Sequence, residues 1–273
     1  MPAPCGIVTL TTDFGLSDSY VAQMHAVILA GCPEARIVDV SHEVPPGQLE
    51  SALFLTESAW PHFPVGAVHV VVVDPGVGTD RGLIAIEGPE AFFVGPDTGV
   101  LSSAIAESER PADASRQALS AGQRAVEISG SGAKASLVSA TFHGRDIMAP
   151  VAARLACGAP LESVGQAVES VMVAPSLATS GESGRVIHID RFGNAVTSFR
   201  SADAASELRL IVTTGWRDEV SVGGVETTYE GADPPIAIVV AGSSGYLEIA
   251  WPRGDAAERL GLRIGDSVRL ASS

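Results

Sequence analysis

The sequence predicts an α/β protein, an N-terminal layered α/β domain followed by a C-terminal all-β barrel domain. Up to about residue 180, apolar strand-like runs alternate with segments of helical periodicity, the pattern of a sheet layered with helices. Beyond that point short strand-like runs follow one another with turn residues between them, the pattern of a barrel or sandwich. The stretch "APSLATSGESG", residues 174–184, separates the two textures and reads as a linker, which places the domains at 1–178 and 185–273.

Residues 6–12, "GIVTLTT", read as a buried strand. "SDSYVAQMHAVILAG" follows as a helix, with Ser17 as N-cap and Gly31 as its stop. "ARIVDV" is the next strand, and "PPGQLESALFLTESAW" a second helix with Leu49, Ala52 and Leu53 at helical spacing. "AVHVVVVD" is a nearly continuous apolar run, typical of a strand covered on both faces. "GLIAIEG" and "AFFVGPD" are shorter strands, and "TGVLSSAIAES" and "GRDIMAPVAARLACG" read as helices. Residues 107–136 are poor in pattern and are expected to form a surface excursion with one strand at "RAVEIS". In the second part "RVIHID", "NAVTSF", "LRLIVTT", "EVSVGGVETTY", "PIAIVVAG" and "YLEIAW" are strands.

The chain has 273 residues and 46% hydrophobic content, enough for one large core or two modest ones. Its formal net charge of -15 argues against nucleic acid, because phosphate binding needs clustered Lys and Arg. It suits a soluble protein and would tolerate a cationic substrate. Cys5, Cys32 and Cys157 are odd in number, far apart and without a C-x-x-C pair. Neither a disulfide framework nor a zinc site is expected from them; reduced thiols in a cytoplasm are. The start "MPAPCGIVTL" has no basic n-region, so no signal peptide is expected. No apolar run approaches the roughly 20 residues of a membrane span.

Four stretches put polar groups where buried strands end. They are "TTDFG" with Asp13, "VDPGVGTDR" with Asp74 and Arg81, "TFHGRD" with His143, Arg145 and Asp146, and "IDRFGN" with Asp190, Phe192 and Asn194. The carboxyl ends of strands form the ligand crevice of an α/β sheet. A carboxylate there must be solvated or paired, and Arg81, across a glycine turn from Asp74, is a candidate partner. Singly, each stretch also reads as local chemistry: a turn, a cap, a loop histidine, a hairpin. Their joint occurrence is what points to a reaction centre.

Other chemistries fit worse. "GPDTG" and "GSSG" lack the G-x-x-x-x-G-K-[ST] pattern of a phosphate loop, and the chain has no G-x-S-x-G elbow. Metal-dependent hydrolysis through Asp13, Asp74, His143 and Asp146 is the chief competitor, but no H-x-x-x-H or D-x-D spacing supports it.

The blocks "TLTTDFGLSDSYVAQMHAVIL", "VVDPGVGTDR", "GPDTGVLS", "TFHGRDIMAPVAA", "IDRFGNAVTSF" and "GSSGYLEIA" fall in order from about residue 7 to 250. In them the chain resembles the S-adenosyl-L-methionine hydroxide adenosyltransferases, the S-adenosylmethionine hydrolases related to the fluorinating and chlorinating 5′-halogenases. The resemblance implies hydrolysis of S-adenosylmethionine to adenosine and L-methionine, with no metal and no separate cofactor. It implies a homotrimer whose sites lie between the N-domain of one subunit and the C-domain of the next.

By the same resemblance the catalytic triad falls on Asp74, Arg81 and His143, which would orient a water and favour its hydroxide character. Asp13 is implied to bind the ribose hydroxyls. Asp190 is implied to pair with the methionine ammonium, helped by Ser243 and Ser244. Phe192 and Asn194 are implied to contact adenine, with backbone near Trp251 completing that end; Tyr20 and Glu248 come from the same blocks. The halogenases carry a tyrosine at Asp74, a threonine at Arg81 and, in the fluorinating members, a tryptophan at Gly47 and a serine at Gly144. Where the hydrolases usually have an asparagine, this chain has Thr98, which is expected to cap a helix. A halide-using transferase and a non-catalytic sensor of adenosine or S-adenosylmethionine are the alternatives.

Overall fold

The structure, a computed structural model, describes residues 2–129, 138–203, 208–214, 219–230 and 236–271. It divides into two compact units, Met1–Ser176 and Leu177–Ser273. In the first unit the strands are β1 (Ile7–Thr12), β2 (Arg36–Ser41), β3 (Val68–Val72), β4 (Leu83–Glu87), β5 (Phe92–Pro96), β6 (Ser115–Ala118), β7 (Arg124–Ile128), β8 (Gly165–Val168) and β9 (Ser170–Val173). Its helices are α1 (Tyr20–Gly31), α2 (Leu49–Ala59) and α3 (Ala149–Ala156).

Seven of these strands form one mixed sheet in the order β2-β1-β3-β5-β4-β7-β8. β2, β1, β3 and β5 run parallel, and β4, β7 and β8 continue antiparallel. The valines of β3 explain its position. Val68, Val70 and Val72 face a core shared with Met24 and Ile28 of α1 and Ala152 and Leu155 of α3. Val71 and Val73 face the opposite core, with Ala52 of α2, Phe93 and Leu101. A strand's side chains alternate between faces, so a continuous apolar run belongs where both faces are covered. Each such buried valine contributes about 1.5 kcal/mol or more. β1 has β2 on one side and β3 on the other, so the strand order reverses direction at β1 and β3. That is the switch point at which sheets of this kind open a crevice.

The second unit contains β10 (Ser183–Ile189), β11 (Ala195–Arg200), β12 (Arg209–Thr213), β13 (Glu219–Gly223), β14 (Val225–Glu226), β15 (Ile238–Ala241), β16 (Tyr246–Ala250) and β17 (Ser267–Ala271), with one helix, α4 (Ala256–Leu260). The eight strands form a nearly closed barrel-like sheet in the order β13-β12-β17-β10-β11-β16-β15-β14, with β13 and β15 approaching each other across the gap. Val186, Phe199, Leu210, Val222, Leu247 and Ile249 are among the residues filling its interior.

Several expectations are corrected. Ser17 is not the N-cap of α1; Ser19 holds that position without a side-chain cap bond, its Oγ accepting instead from Gln23 Nε2 at 2.8 Å. Residues 98–108 form only two short 3-10 turns, at Ser102–Ala104 and Glu107–Glu109. Ser102 Oγ donates to Gly99 O at 2.6 Å and accepts from Ala174 N at 2.7 Å, which ties the backbone into a turn instead. Thr98 therefore caps no helix, and its Oγ1 makes no hydrogen bond among the described residues. The stretch from 107 is not a plain surface excursion. It holds β6 as well as β7, and β7 lies inside the main sheet between β4 and β8. Residues 130–136 of that stretch, and Pro235 of the expected "PIAIVVAG" strand, lie outside the described residues.

Cys32 and Cys157 form a disulfide across a sequence separation of 125 residues. They sit at the C-terminal ends of α1 and α3, which pack together closely enough that a Cβ on Gly31 would lie 2.8 Å from Ala153 Cβ. The fold brings the two Cα atoms to 5.8 Å, inside the range a disulfide needs. Cysteine spacing along the chain carries no trace of this, and the expectation of reduced thiols, with the cytoplasmic location drawn from it, loses that support. No helix among the described residues is long and apolar enough to cross a membrane.

Candidate active site

β1 and β3 end side by side, with Thr12 opposite Val72, and each delivers an aspartate just beyond its last residues. Asp74 follows the fully buried Val73. The chain then turns through Gly76 and Gly78 and returns Arg81 to the carboxylate. Val77 N donates to Asp74 O at 3.2 Å and Thr79 N to Gly76 O at 3.1 Å. Gly78 has φ +80, and a Cβ there would lie 2.6 Å from Ala140 O, so only glycine lets the loop lie this close. Arg81 Nε donates to Asp74 Oδ1 at 2.8 Å and Oδ2 at 3.0 Å, and Arg81 Nη2 also bonds Oδ2. Their side chains are only 5% and 10% exposed, so each is the other's chief solvation.

Asp13 Oδ2 accepts from Gly47 N at 3.0 Å, which fixes the carboxylate at the end of β1. His143 precedes a π-turn, Gly144–Met148, that leads into α3. A Cβ on Gly144 would lie 3.0 Å from Val72 Cγ1 and 3.3 Å from Met24 Sδ. The missing side chain thus lets the turn seat His143 against β3. Burial lowers the His143 pKa, and the Arg81 guanidinium lowers it further, against the opposing pull of Asp74 and Asp146. His143 is therefore neutral at pH 7, and its Nδ1 has no hydrogen-bond partner among the described residues.

Asp13, Asp74 and His143 line one cavity of about 140 Å³ together with Phe14, Val72 and Phe142. Arg81 does not line it; it stands behind Asp74. Tyr20 is 45% exposed and stacks edge-on against Phe14 and Phe142, with ring centroids 6.0 and 5.3 Å away. Arg145 and Asp146 bond each other through two contacts of 2.6 and 2.9 Å. Two of the four carboxylate and imidazole ligands of the metal-hydrolase reading, Asp74 and Asp146, are thus already taken by guanidinium groups.

The second unit has its own cavity, about 580 Å³, lined among others by Asp190, Phe192, Asn194, Ser243, Glu248 and Trp251. Asp190 is held by its own turn: Oδ1 accepts from Phe192 N at 2.9 Å and Asn194 N at 2.8 Å, and Oδ2 from Asn194 Nδ2 at 2.9 Å. Gly193, at φ +83, permits that turn. Phe192 is left 76% exposed and Asn194 is buried. Ser243 faces the cavity; Ser244 does not line it, and its Oγ is buried without a partner among the described residues. Trp251 stacks under Arg259, whose Cζ lies 5.0 Å from the ring centre.

Sequence reasoning missed Tyr229 and Arg253 in this lining. Tyr229 Oη donates to Glu248 Oε2 at 2.8 Å. Burial, then that bond, pushes the Tyr229 hydroxyl up to about 12. Burial also raises the Glu248 carboxyl, the Tyr229 bond opposes this, and the charge of Asp190 adds to the rise. A cation in the cavity would favour the charged form of Glu248. Gly242 makes room for Glu248, since a Cβ there would lie 2.0 Å from Glu248 Oε1.

An α/β unit with paired polar groups at a sheet switch point, joined to a small β-barrel with an acid-lined cavity, defines a ligand-binding protein of enzyme type. The chain belongs to the SAM hydroxide adenosyltransferase family: the model of its N-terminal domain matches residues 8–165 and that of its C-terminal domain residues 184–269. It is 37% identical to an (R)-S-adenosyl-L-methionine hydrolase of Salinispora tropica over 99% of both chains. It is 38% identical to the hydrolase of that name in Thermus thermophilus, over 96% of this chain and 98% of that one. A fluorinase of Actinopolyspora mzabensis is more distant, at 26% over 98% and 97%. A crystal structure from Thermotoga maritima superposes with a TM-score of 0.81 at 34% identity, covering 97% of this chain and all of the other.

Proposed function

We propose that this chain hydrolyses S-adenosyl-L-methionine to adenosine and L-methionine. The observation that carries the reading is the cavity where Asp74, clamped by Arg81, and the neutral His143 meet beside Asp13. Water attacks C5′ of the ribose; the new O–C5′ bond forms as the C5′–S bond breaks. The bonding electron pair goes to sulfur, and the sulfonium leaves as a neutral thioether. Such a leaving group needs no Lewis acid, so no metal or cofactor is assigned a step. His143 takes the water's proton: it is neutral and it lines the cavity. Asp74, with both oxygens engaged by Arg81, serves to orient the water. As the proton passes to His143, the positive charge moves from sulfur to the imidazolium, where Asp74 and Asp146 favour it.

In this reading Asp13 holds the ribose hydroxyls as an acceptor for two O–H donors. Phe192 stacks on adenine, Asn194 and backbone near Trp251 meet its edge, and Asp190 and Glu248 face the ammonium with Ser243. Tyr20 borders the ribose end. The two cavities belong to different units, each holding groups the other lacks; following the resemblance, the assembly is a homotrimer in which the first unit of one subunit completes the site with the second unit of the next. The substrate is the epimer named for the relatives.

The test is incubation with S-adenosylmethionine in oxygen-labelled water, with and without chelator and chloride. Adenosine carrying the label at the 5′ oxygen, at a rate indifferent to both additions, is the expected product. Loss of activity with chelator, 5′-chloro-5′-deoxyadenosine as main product, or tight binding with no turnover would overturn the reading in favour of the metal, halide or sensor alternative respectively.

A further inference from the structure

We propose that His25, Asp39 and His42 form a binding site for a divalent transition-metal ion of the Zn²⁺ class. The three side chains come from α1, from β2 and from the loop after β2, and their donor atoms all lie within 4.8 Å of one another. His25 Nε2 is 2.8 Å and His42 Nε2 3.1 Å from the same oxygen, Asp39 Oδ1.

A plain histidine–aspartate hydrogen bond accounts for His25 but not for His42. The His42 ring is only 4% exposed, and its Nε2 approaches Asp39 without making a hydrogen bond to any partner among the described residues. Its other nitrogen, Nδ1, lies 2.9 Å from Oγ1 of the fully buried Thr12. Thr12 Oγ1 can accept from Nδ1–H, which leaves Nε2, 3.1 Å from Asp39 Oδ1, with its lone pair unused. Fixing one ring nitrogen through an outer hydrogen bond so that the other presents a lone pair is how metal-ligating histidines are oriented.

Two imidazoles and one carboxylate are a donor set for Zn²⁺ and its neighbours in the Irving–Williams order; Ca²⁺ and Mg²⁺ prefer all-oxygen sets. At metal–ligand distances near 2.1 Å, tetrahedral donors stand about 3.4 Å apart. The contacts of 2.8 and 3.1 Å need to open by about 0.6 and 0.3 Å, and the two histidine nitrogens, within 4.8 Å of each other, need to settle near the same spacing. His25 and Asp39, with side chains 32% and 38% exposed, have the freedom to do so, and their exposure leaves a fourth position open to water. The same loop carries His42 O, which accepts from Gly15 N at 2.7 Å, and Gly47, which bonds Asp13. A bound ion would therefore fasten α1 and β2 to that loop and add stability, while the bond from Gly47 to Asp13 is made by the backbone alone.

The experiment is titration of the full chain, first stripped with chelator, with Zn²⁺ by calorimetry and with Co²⁺ by visible absorption. One ion per chain is expected, with the intense bands of low-coordinate Co²⁺ and a rise in melting temperature on adding Zn²⁺. His25→Ala and Asp39→Asn, both at partly exposed positions, should each weaken binding roughly ten-fold or more and abolish the thermal shift. Cys5→Ser, which removes the exposed thiol, should change neither stoichiometry nor affinity. Absence of stoichiometric binding, or affinities unchanged in both ligand variants, would overturn the proposal.

Discussion

Arg81 closes on Asp74 with its Nε 2.8 and 3.0 Å from the two carboxylate oxygens, and neither side chain has much water around it. Asp74→Ala should therefore destabilise the chain by roughly 3–5 kcal/mol, because it leaves a guanidinium buried without its partner. Arg81→Met should do the same from the other side. The double variant should cost at least about 1 kcal/mol less than the sum, measured by urea unfolding as a double-mutant cycle. Simple additivity would show that the pair does not act as a unit.

His143→Ala should lower turnover by roughly a hundred- to ten-thousand-fold, the range of a positioned proton acceptor. Adenosine affinity should stay within a few-fold, since the role proposed for His143 is on the water. In the wild type, kcat/KM should hold through pH 7 and decline only below 6.5, as the lowered His143 pKa is crossed and the imidazole protonates. A decline that begins above pH 7 would contradict a neutral His143.

Asp13→Ala should do the opposite, weakening adenosine binding by about 1–3 kcal/mol through the loss of a charge-assisted acceptor. Titration calorimetry with adenosine distinguishes the two. Mixing Asp13→Ala with Asp190→Ala under subunit exchange should also restore activity, because some sites would then draw both groups intact from different chains. Two inactive proteins that exchange subunits without complementing would refute the shared site.

His69 sets a stability limit in acid. Its ring is buried beside Phe63, Phe93 and Trp60, and burial lowers its pKa to about 4. The unfolded chain binds this proton near pH 6.5 and the folded chain does not. The His69 contribution is thus complete above pH 6.5 and is lost as pH falls toward 4, about 3 kcal/mol over that window. His143 and His188, also lowered by burial, act in the same direction. His69→Gln should flatten the pH dependence of the urea midpoint between pH 6.5 and 4; an unchanged slope would exclude His69 as its source.

Gly242→Ala should displace Glu248, since the added Cβ would meet Oε1 at 2.0 Å. A raised KM with turnover little changed is expected, because the ammonium that Glu248 is proposed to face lies several bonds from the breaking C5′–S bond. Equal loss in kcat would place Glu248 closer to the chemistry.

What the sequence revealed follows the strength of its physical signals. β1 and β3 were legible because strands buried on both faces must be apolar throughout, and the aspartates just past them stood out for the same reason. The helix expected at 98–108 failed because periodicity takes no account of the Ser102 hydroxyl bonding Gly99. β6, β8 and β9 are four residues long and partly polar, too short for alternation to register. α4 was missed although it carries a signal: Asp255 accepts from Glu258 N at 2.7 Å, and Gly261 ends the helix at φ +68. Tyr229 and Arg253 sit in loops with no periodicity and join the cavity only through tertiary folding. The Cys32–Cys157 bond depends on how two helices meet.

The mutual dependence of Asp74 and Arg81 bears on how this chemistry could diversify. The resemblance to the halogenases places a tyrosine and a threonine at these two positions. A lineage moving between the two chemistries one substitution at a time must pass through a protein with a lone buried charge. Such an ancestor would be poorly folded, and selection would remove it unless both codons changed together or stabilising substitutions came first. The pair therefore acts as a ratchet that keeps a water-using lineage where it is, even in a chloride-rich habitat.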